Sequence, residues 1–152
     1  GLEFSIATEP RASDTISFPM SLAYTFTDAE FDSSFESDFF GNVNEGDALP
    51  YIARHQVYFE AGVSVGRAAA TLGANYVSDL RDDPGSGAIG VTDVVDERII
   101  FDLAGSFALT DRIALFARVD NLFDDQYAVS RRPLGLRPGV PQRFVGGARV
   151  SF

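Results

Sequence analysis

At 152 residues, 45% of them hydrophobic, the chain has the size of one domain and the average polarity of a soluble one. No run approaches the ~18 apolar residues of a spanning helix, so a helical membrane protein is excluded; a wall of strands, each about 10 residues long and half polar, is not. A net charge of −10 without a Lys/Arg cluster excludes a nucleic-acid binder, and the lack of cysteine excludes a disulfide framework or thiolate metal site.

Period-two alternation runs through the chain. The opening residues Gly1–Ile6 lack the basic start and cleavage site of a signal peptide. They read as a strand already under way, so the chain is expected to be a piece of something longer. Leu2, Phe4 and Ile6 oppose Glu3, Ser5 and Ala7. Phe18, Met20, Leu22, Tyr24 and Phe26 oppose Pro19, Ser21, Ala23, Thr25 and Thr27. Val57, Phe59, Ala61, Val63 and Val65 oppose Gln56, Tyr58, Glu60, Gly62 and Ser64. Ala70, Leu72, Ala74 and Tyr76 oppose Thr71, Gly73, Asn75 and Val77. Phe101, Leu103, Gly105, Phe107 and Leu109 oppose Asp102, Ala104, Ser106 and Ala108. Ile113, Leu115, Ala117 and Val119 oppose Ala114, Phe116, Arg118 and Asp120. Phe144, Gly146, Ala148, Val150 and Phe152 oppose Arg143, Val145, Gly147, Arg149 and Ser151. The pattern predicts an all-β antiparallel meander of about seven strands.

Link lengths alternate. Arg67-Ala68 and Thr110–Arg112 read as tight turns and Glu9–Ile16 as a moderately short link, while Thr27–Ala53, Arg81–Glu97 and Leu122–Pro141 are long and two of them acidic. Long structureless links are uncommon in compact soluble domains but habitual on one side of outer-membrane barrels. A soluble β-sandwich or lipocalin-like barrel also alternates, and periodicity leaves both open. The second face tips the reading toward membrane, being rich in Gly, Ala, Ser and Thr where a soluble sheet carries Lys and Glu. Aromatic residues near strand ends (Phe18, Tyr24, Phe26, Tyr76, Phe144, Phe152) fit an interfacial girdle. With Phe152 at the periplasmic edge, the tight turns are periplasmic and the long links external. A small passive or structural outer-membrane barrel is the other membrane reading.

The C-terminal region is the densest in signals. It reads Asn121-Leu122-Phe123-Asp124, then Tyr127, then Arg131-Arg132-Pro133-Leu134-Gly135-Leu136-Arg137-Pro138-Gly139-Val140-Pro141, and ends in a strand at Phe152. Asn121 and Asp124 suit a site where a strand leaves the sheet, and Pro138 and Pro141 cannot enter a central ladder. The segment resembles the C-terminus of TonB-dependent receptors at Asn121, Leu122, Phe123, Asp124, Tyr127, Gly135, Pro138, Gly139, Pro141 and Phe152. One departure is Gln142, which separates Pro141 from Arg143 and puts Arg143's role in question. Leu49-Pro50-Tyr51-Ile52-Ala53-Arg54-His55-Gln56 is similar to a segment of ferric siderophore and ferric citrate receptors, with Ala53 where Pro is common.

The resemblance implies that residues 1–152 are the C-terminal portion of a transmembrane barrel in the bacterial outer membrane, with plug domain and earlier strands outside the chain. It implies uptake of a ferric chelate, no enzymatic activity and no cofactor. The partners it implies are outer-membrane lipid, the ferric ligand, the plug and TonB complex through the preceding part, and the assembly machinery through Phe152. Arg54, His55, Arg81, Arg131, Arg132 and Arg137 are external candidates for an anionic ligand, since Arg forks suit carboxylates; plain loop solubility is the competing reading. Glu60, Asp102, Arg118, Asp120, Arg143 and Arg149 would face the lumen or plug. A turn at Thr110–Arg112 sets Asp102 opposite Asp120 and diagonal to Arg118.

Other motifs carry no chemistry. Gly85-Ser86-Gly87-Ala88-Ile89-Gly90 spells a dinucleotide fingerprint without the strand before it or the helix after it. His55 is the sole histidine, too few for a zinc site or for a triad lacking a nucleophile elbow. Asp32, Glu36, Asp38, Glu45 and Asp47 lack calcium-loop spacing and read as a solvated loop. No metal site is expected.

Overall fold

Alternating residues become strands here because each finds a sequential neighbour to complete its ladder. The computed structural model describes residues 1–132 and 135–152; Pro133 and Leu134 of the Gly/Pro-rich segment lie outside the described residues. Seven strands follow in sheet order as in sequence: β1 (Leu2–Thr8), β2 (Met20–Phe26), β3 (His55–Val65), β4 (Ala68–Val77), β5 (Arg98–Ala108), β6 (Ile113–Asp120) and β7 (Arg143–Val150). All pairings are antiparallel, and no helix occurs among the described residues.

The β3–β4 turn is Gly66-Arg67, one residue earlier than the expected Arg67-Ala68. Gly66 sits at φ +56°, a left-handed position that a two-residue hairpin needs and that a β-branched residue there could not take cheaply. The β5–β6 turn falls where expected, with the Leu109 amide donating to the Ile113 carbonyl at 2.9 Å. Glu9–Ile16 folds into a small ribbon, Arg11–Ser13 with Ile16–Ser17, which reaches β3 at Ser64 and Val65. The long links also differ from the expectation of plain loops. Each contains its own ribbon: Phe35–Ser37 with Gly41–Val43, Leu80–Arg81 with Val94–Val95, and Ala128–Ser130 with Arg137–Pro138.

The registers carry the two faces through the whole sheet. One apolar row runs Ile6, Leu22, Phe59 and Ala74 to Phe101; another runs Leu72, Leu103 and Val119 to Phe144. Leu2, Phe4, Ile6, Phe59, Leu72, Leu103, Phe107 and Phe144 on this face are all exposed. Among the described residues the buried hydrophobics are Val43, Ala53, Leu80 and Val95, and none lies on the seven strands. A β-sandwich would have covered its apolar face with a second sheet. Among the described residues this sheet has no such cover.

The other face is polar and small, with two large rings. The Tyr58 ring lies over Gly73, whose added Cβ would meet the phenol oxygen at 3.4 Å. The Phe116 ring lies over Gly147, where a Cβ would come within 2.6 Å. The core sits at one end of the sheet, where the long links meet: Ala53, Leu80 and Val95 pack with Tyr51, Val77 and Ala128.

Candidate functional site

The end of β6 organises one side of the loop cap. Asn121, 2% exposed, adopts φ +50°, and Asp124 φ +55°, conformations that short polar side chains tolerate best after glycine. The Asn121 amide nitrogen donates to the carbonyls of Asp125 and Val140, and its oxygen accepts from the Asp125 amide. Asp124 accepts from the Gln142 amide, and Gln142 Nε2 donates to the Leu122 carbonyl. Gln142, the one departure in the motif, is therefore part of the same clamp. Tyr127 accepts from the Val140 amide through its hydroxyl and from the Gly139 amide through its carbonyl. Its ring fills the space a Cβ on residue 139 would need, which explains the glycine. Phe123 is exposed and packs edge-on to Phe101 at 5.4 Å. Gly135 is at φ +108°, Pro138 pairs with Ala128, Pro141 follows that ribbon, and Phe152 ends the chain fully exposed.

On the polar face, Leu103 opposes Val119, so the next step of the register sets Asp102 opposite Asp120. Arg118 bridges both, lying 3.8 Å from Asp102 and in an ion pair with Asp120. Arg143 donates to Asp120 Oδ2 through Nε at 2.8 Å and Nη2 at 2.6 Å. That fork answers the doubt raised by Gln142: Arg143 lies on the polar face, opposite Asp120. The second oxygen of the Asp102–Arg118 pair, Oδ1, takes the Asn121 amide at 2.9 Å, joining the charge row to the clamp. Asp120 is buried, and two guanidiniums are what make a buried carboxylate tolerable there. Glu60, in the same row, accepts from the Tyr58 hydroxyl at 2.8 Å. Arg149 is separated from these residues, opposite Ala114 at the tight-turn end.

Arg98 belongs to this face and was missed. The β5 ladder begins at Arg98↔Val77, three residues before Phe101, and parity then places Arg98 with Ile100 and Asp102. Carrying the alternation back through Ile99 would have found it. Its guanidinium lies 5.4 Å from the centre of the Tyr127 ring.

The six external candidates do not converge. Arg54 pairs with Asp28, and Arg81 donates to the Gly87 carbonyl at 2.9 Å. These two share a cavity of about 480 Å3 with Asp28, Glu30 and Asp79, so acid outnumbers base in it. His55 is not a loop residue: it opens β3, and its Nδ1 shares a 2.9 Å hydrogen bond with the Tyr24 hydroxyl. Arg131 Nε donates to the Val94 carbonyl at 2.6 Å. Arg132 pairs with Asp83, lies 3.7 Å from Asp82, and stacks near Phe39 and Phe40. The Tyr51 hydroxyl accepts from the Arg132 amide at 3.1 Å. Arg131 and Arg132 thus tie the three long links together. Arg137 stands exposed in its ribbon.

Of the acidic residues expected to be solvated, Asp47 is buried and caps a turn by accepting from the Asn44 amide at 2.8 Å. A different group gathers instead: Asp82, Asp83 and Asp93 bring carboxylate oxygens within 4.8 Å of one another. Burial, together with Asp83, holds the Asp82 carboxyl above its ordinary range, with Arg132 opposing. Arg132 answers this acidity directly. Gly85–Gly90 forms bends without a helix.

The model of the TonB dependent receptor-like β-barrel family matches residues 1–122, ending just inside the Asn121-Leu122-Phe123-Asp124 motif. No match was found among curated proteins. Among solved structures, the siderophore receptor PiuA from Acinetobacter baumannii superposes with a TM-score of 0.70 at 14% identity, covering 97% of this chain and 21% of that one. The ferric-catecholate import receptor Fiu from E. coli K12 gives 0.63 at 17% identity, covering 99% and 27%. The copper transporter OprC gives 0.64 at 20% identity, covering 97% and 23%. This chain spans about a quarter of the length of these proteins. At such identities the likeness speaks for the fold, and the fold is the one the meander and its uncovered apolar face require. With four-fifths of its length matched by the family model, the chain belongs to the TonB-dependent receptor β-barrel family, integral proteins of the outer membrane that act as receptors and not as enzymes.

Proposed function

We propose that this chain is the C-terminal wall and outer cap of a receptor that takes up a ferric chelate. The apolar face meets lipid, and the polar face lines the interior. The long links face outward, where ligand arrives, and the tight turns face the periplasm. The plug and the energy-coupling TonB complex belong to the preceding part of the receptor, and Phe152 is the residue presented to the assembly machinery. One observation carries the reading: an uncovered apolar face backs directly onto a polar row of Glu60, Asp102, Arg118, Asp120 and Arg143. A wall between hydrocarbon and a wet lumen uses both. Receptors for ferric catecholates and siderophores among the structural neighbours favour iron as the cargo.

The test uses the full-length receptor in a strain lacking its own ferric-chelate receptors. Uptake of radioactive iron from a panel of ferric catecholates, hydroxamates and citrate is expected for at least one class. Uptake of none, with the receptor correctly inserted, overturns the proposal. Arg54→Ala with Arg81→Ala then reports on the shared cavity, whereas Arg131→Ala with Arg132→Ala is expected to loosen the cap itself.

A further inference from the structure

A cavity of about 280 Å3 opens on the polar face at the loop end, bounded by Asn75, Arg98, Asp102, Arg118, Asp120 and Tyr127. Its charges do not balance. Arg143 also lines it, giving three guanidiniums against two carboxylates. Both carboxylates are spent: Asp120 on Arg118 and Arg143, Asp102 on Arg118 and the Asn121 amide. Arg98 is left over. Its Nη1 is shut off from solvent and has no acceptor among the described residues. A buried charged donor without a partner is costly, and such an atom usually marks a missing acceptor. The Tyr127 ring steadies the guanidinium plane, and Tyr127 itself is fixed by Val140 and Gly139, so the fork is held ready before anything binds.

We propose that Arg98 anchors a carboxylate-binding site on the interior wall. A carboxylate presents two oxygens in a plane, the geometry that a guanidinium edge matches. A phosphate would call on a second cation, and the neighbouring Arg118 and Arg143 are already committed. The carboxylate comes either from a solute in the lumen or from an acidic side chain elsewhere in the receptor. The inference rests on the polar face being the barrel interior.

The experiment uses the full-length receptor in detergent and iron-free citrate as the probe, so its failure is distinct from a failure of ferric uptake. If a solute fills the site, calorimetry shows saturable citrate binding. Arg98→Gln then weakens it about tenfold or more, Arg98→Lys restores part of it, and Arg11→Gln, in the exposed ribbon at the tight-turn end, leaves it unchanged. If the receptor's own acid fills the site, the wild type ignores citrate. Arg98→Gln then lowers the melting temperature, Arg98→Lys recovers most of the loss, and the gap narrows as NaCl rises. Citrate binding equal in wild type and Arg98→Gln overturns the proposal. So does absence of citrate binding with a melting difference that is zero or indifferent to salt, since packing on Tyr127 alone would then account for Arg98.

Discussion

The seven strands and the loop cap at their end obey opposite rules of burial. On the strands, Leu2, Phe4, Leu103 and Phe144 stand exposed, and no apolar residue is buried. In the cap, Val43 and Val95 are each 1% exposed, and Asn121 and Asp82 are buried with them. A soluble protein would show the reverse, with buried strands and open loops. The difference reports the medium. Loops in water must bury their own apolar groups to hold a shape, and these do so around Ala53, Leu80 and Val95. Strands facing hydrocarbon need no cover.

The sharpest way to break this comparison is to charge the wall. Leu103→Arg, on the apolar face, is expected to cost up to about 4 kcal/mol of stability in lipid, whereas Ser106→Arg on the polar face costs under about 1. Unfolding in phospholipid vesicles measures both, and equal costs would erase the assignment of faces. Next comes the clamp. Asn121→Ala takes the partner from three part-buried backbone hydrogen bonds and is expected to cost up to about 3 kcal/mol, confined to the cap. Hydrogen exchange should then rise at the amides of Asp125 and Gly139 while the β3–β5 ladders stay protected.

Smaller still is Gly139→Ala, which drives a methyl into the Tyr127 ring and is expected to cost about 1–3 kcal/mol. Protease cleavage within 121–142 reads it. The mildest probe is pH. In the folded cap the Asp82 carboxyl sits above the ordinary 3.8 it has when the cap opens. Between those two values the closed cap holds the extra proton, so cap stability falls as pH rises through that window and is flat above it. Asp82→Asn should abolish the slope, as followed by cap proteolysis against pH.

The wall was legible because its physics is local. Period two shows which residues share a face, and the three-residue turn at Thr110–Arg112 was enough to bring Asp102, Arg118 and Asp120 together before any coordinates. Arg98 escaped because the acidic stretch before it blurred the strand's start. The cap was hardly legible. Its contacts join residues some eighty apart, such as Tyr51 with Arg132, and no spacing rule encodes which arginine meets which aspartate. For that reason the sequence shows Arg131 and Arg132 as ligand candidates but not the bonds they make to Val94, Asp83 and Tyr51 on the other long links. Likewise the motif from Asn121 to Asp124 was recognisable as a pattern, but its clamp on Val140 required the fold.

The glycines beneath Tyr58 and Phe116 have a geometric consequence. A ring laid over a neighbouring strand spends its bulk along the sheet and not away from it. The polar face is thereby smoother than its side-chain volumes alone would allow. Giving residue 147 a side chain would drive its Cβ into the Phe116 ring and push that ring off the strand without adding a single charge.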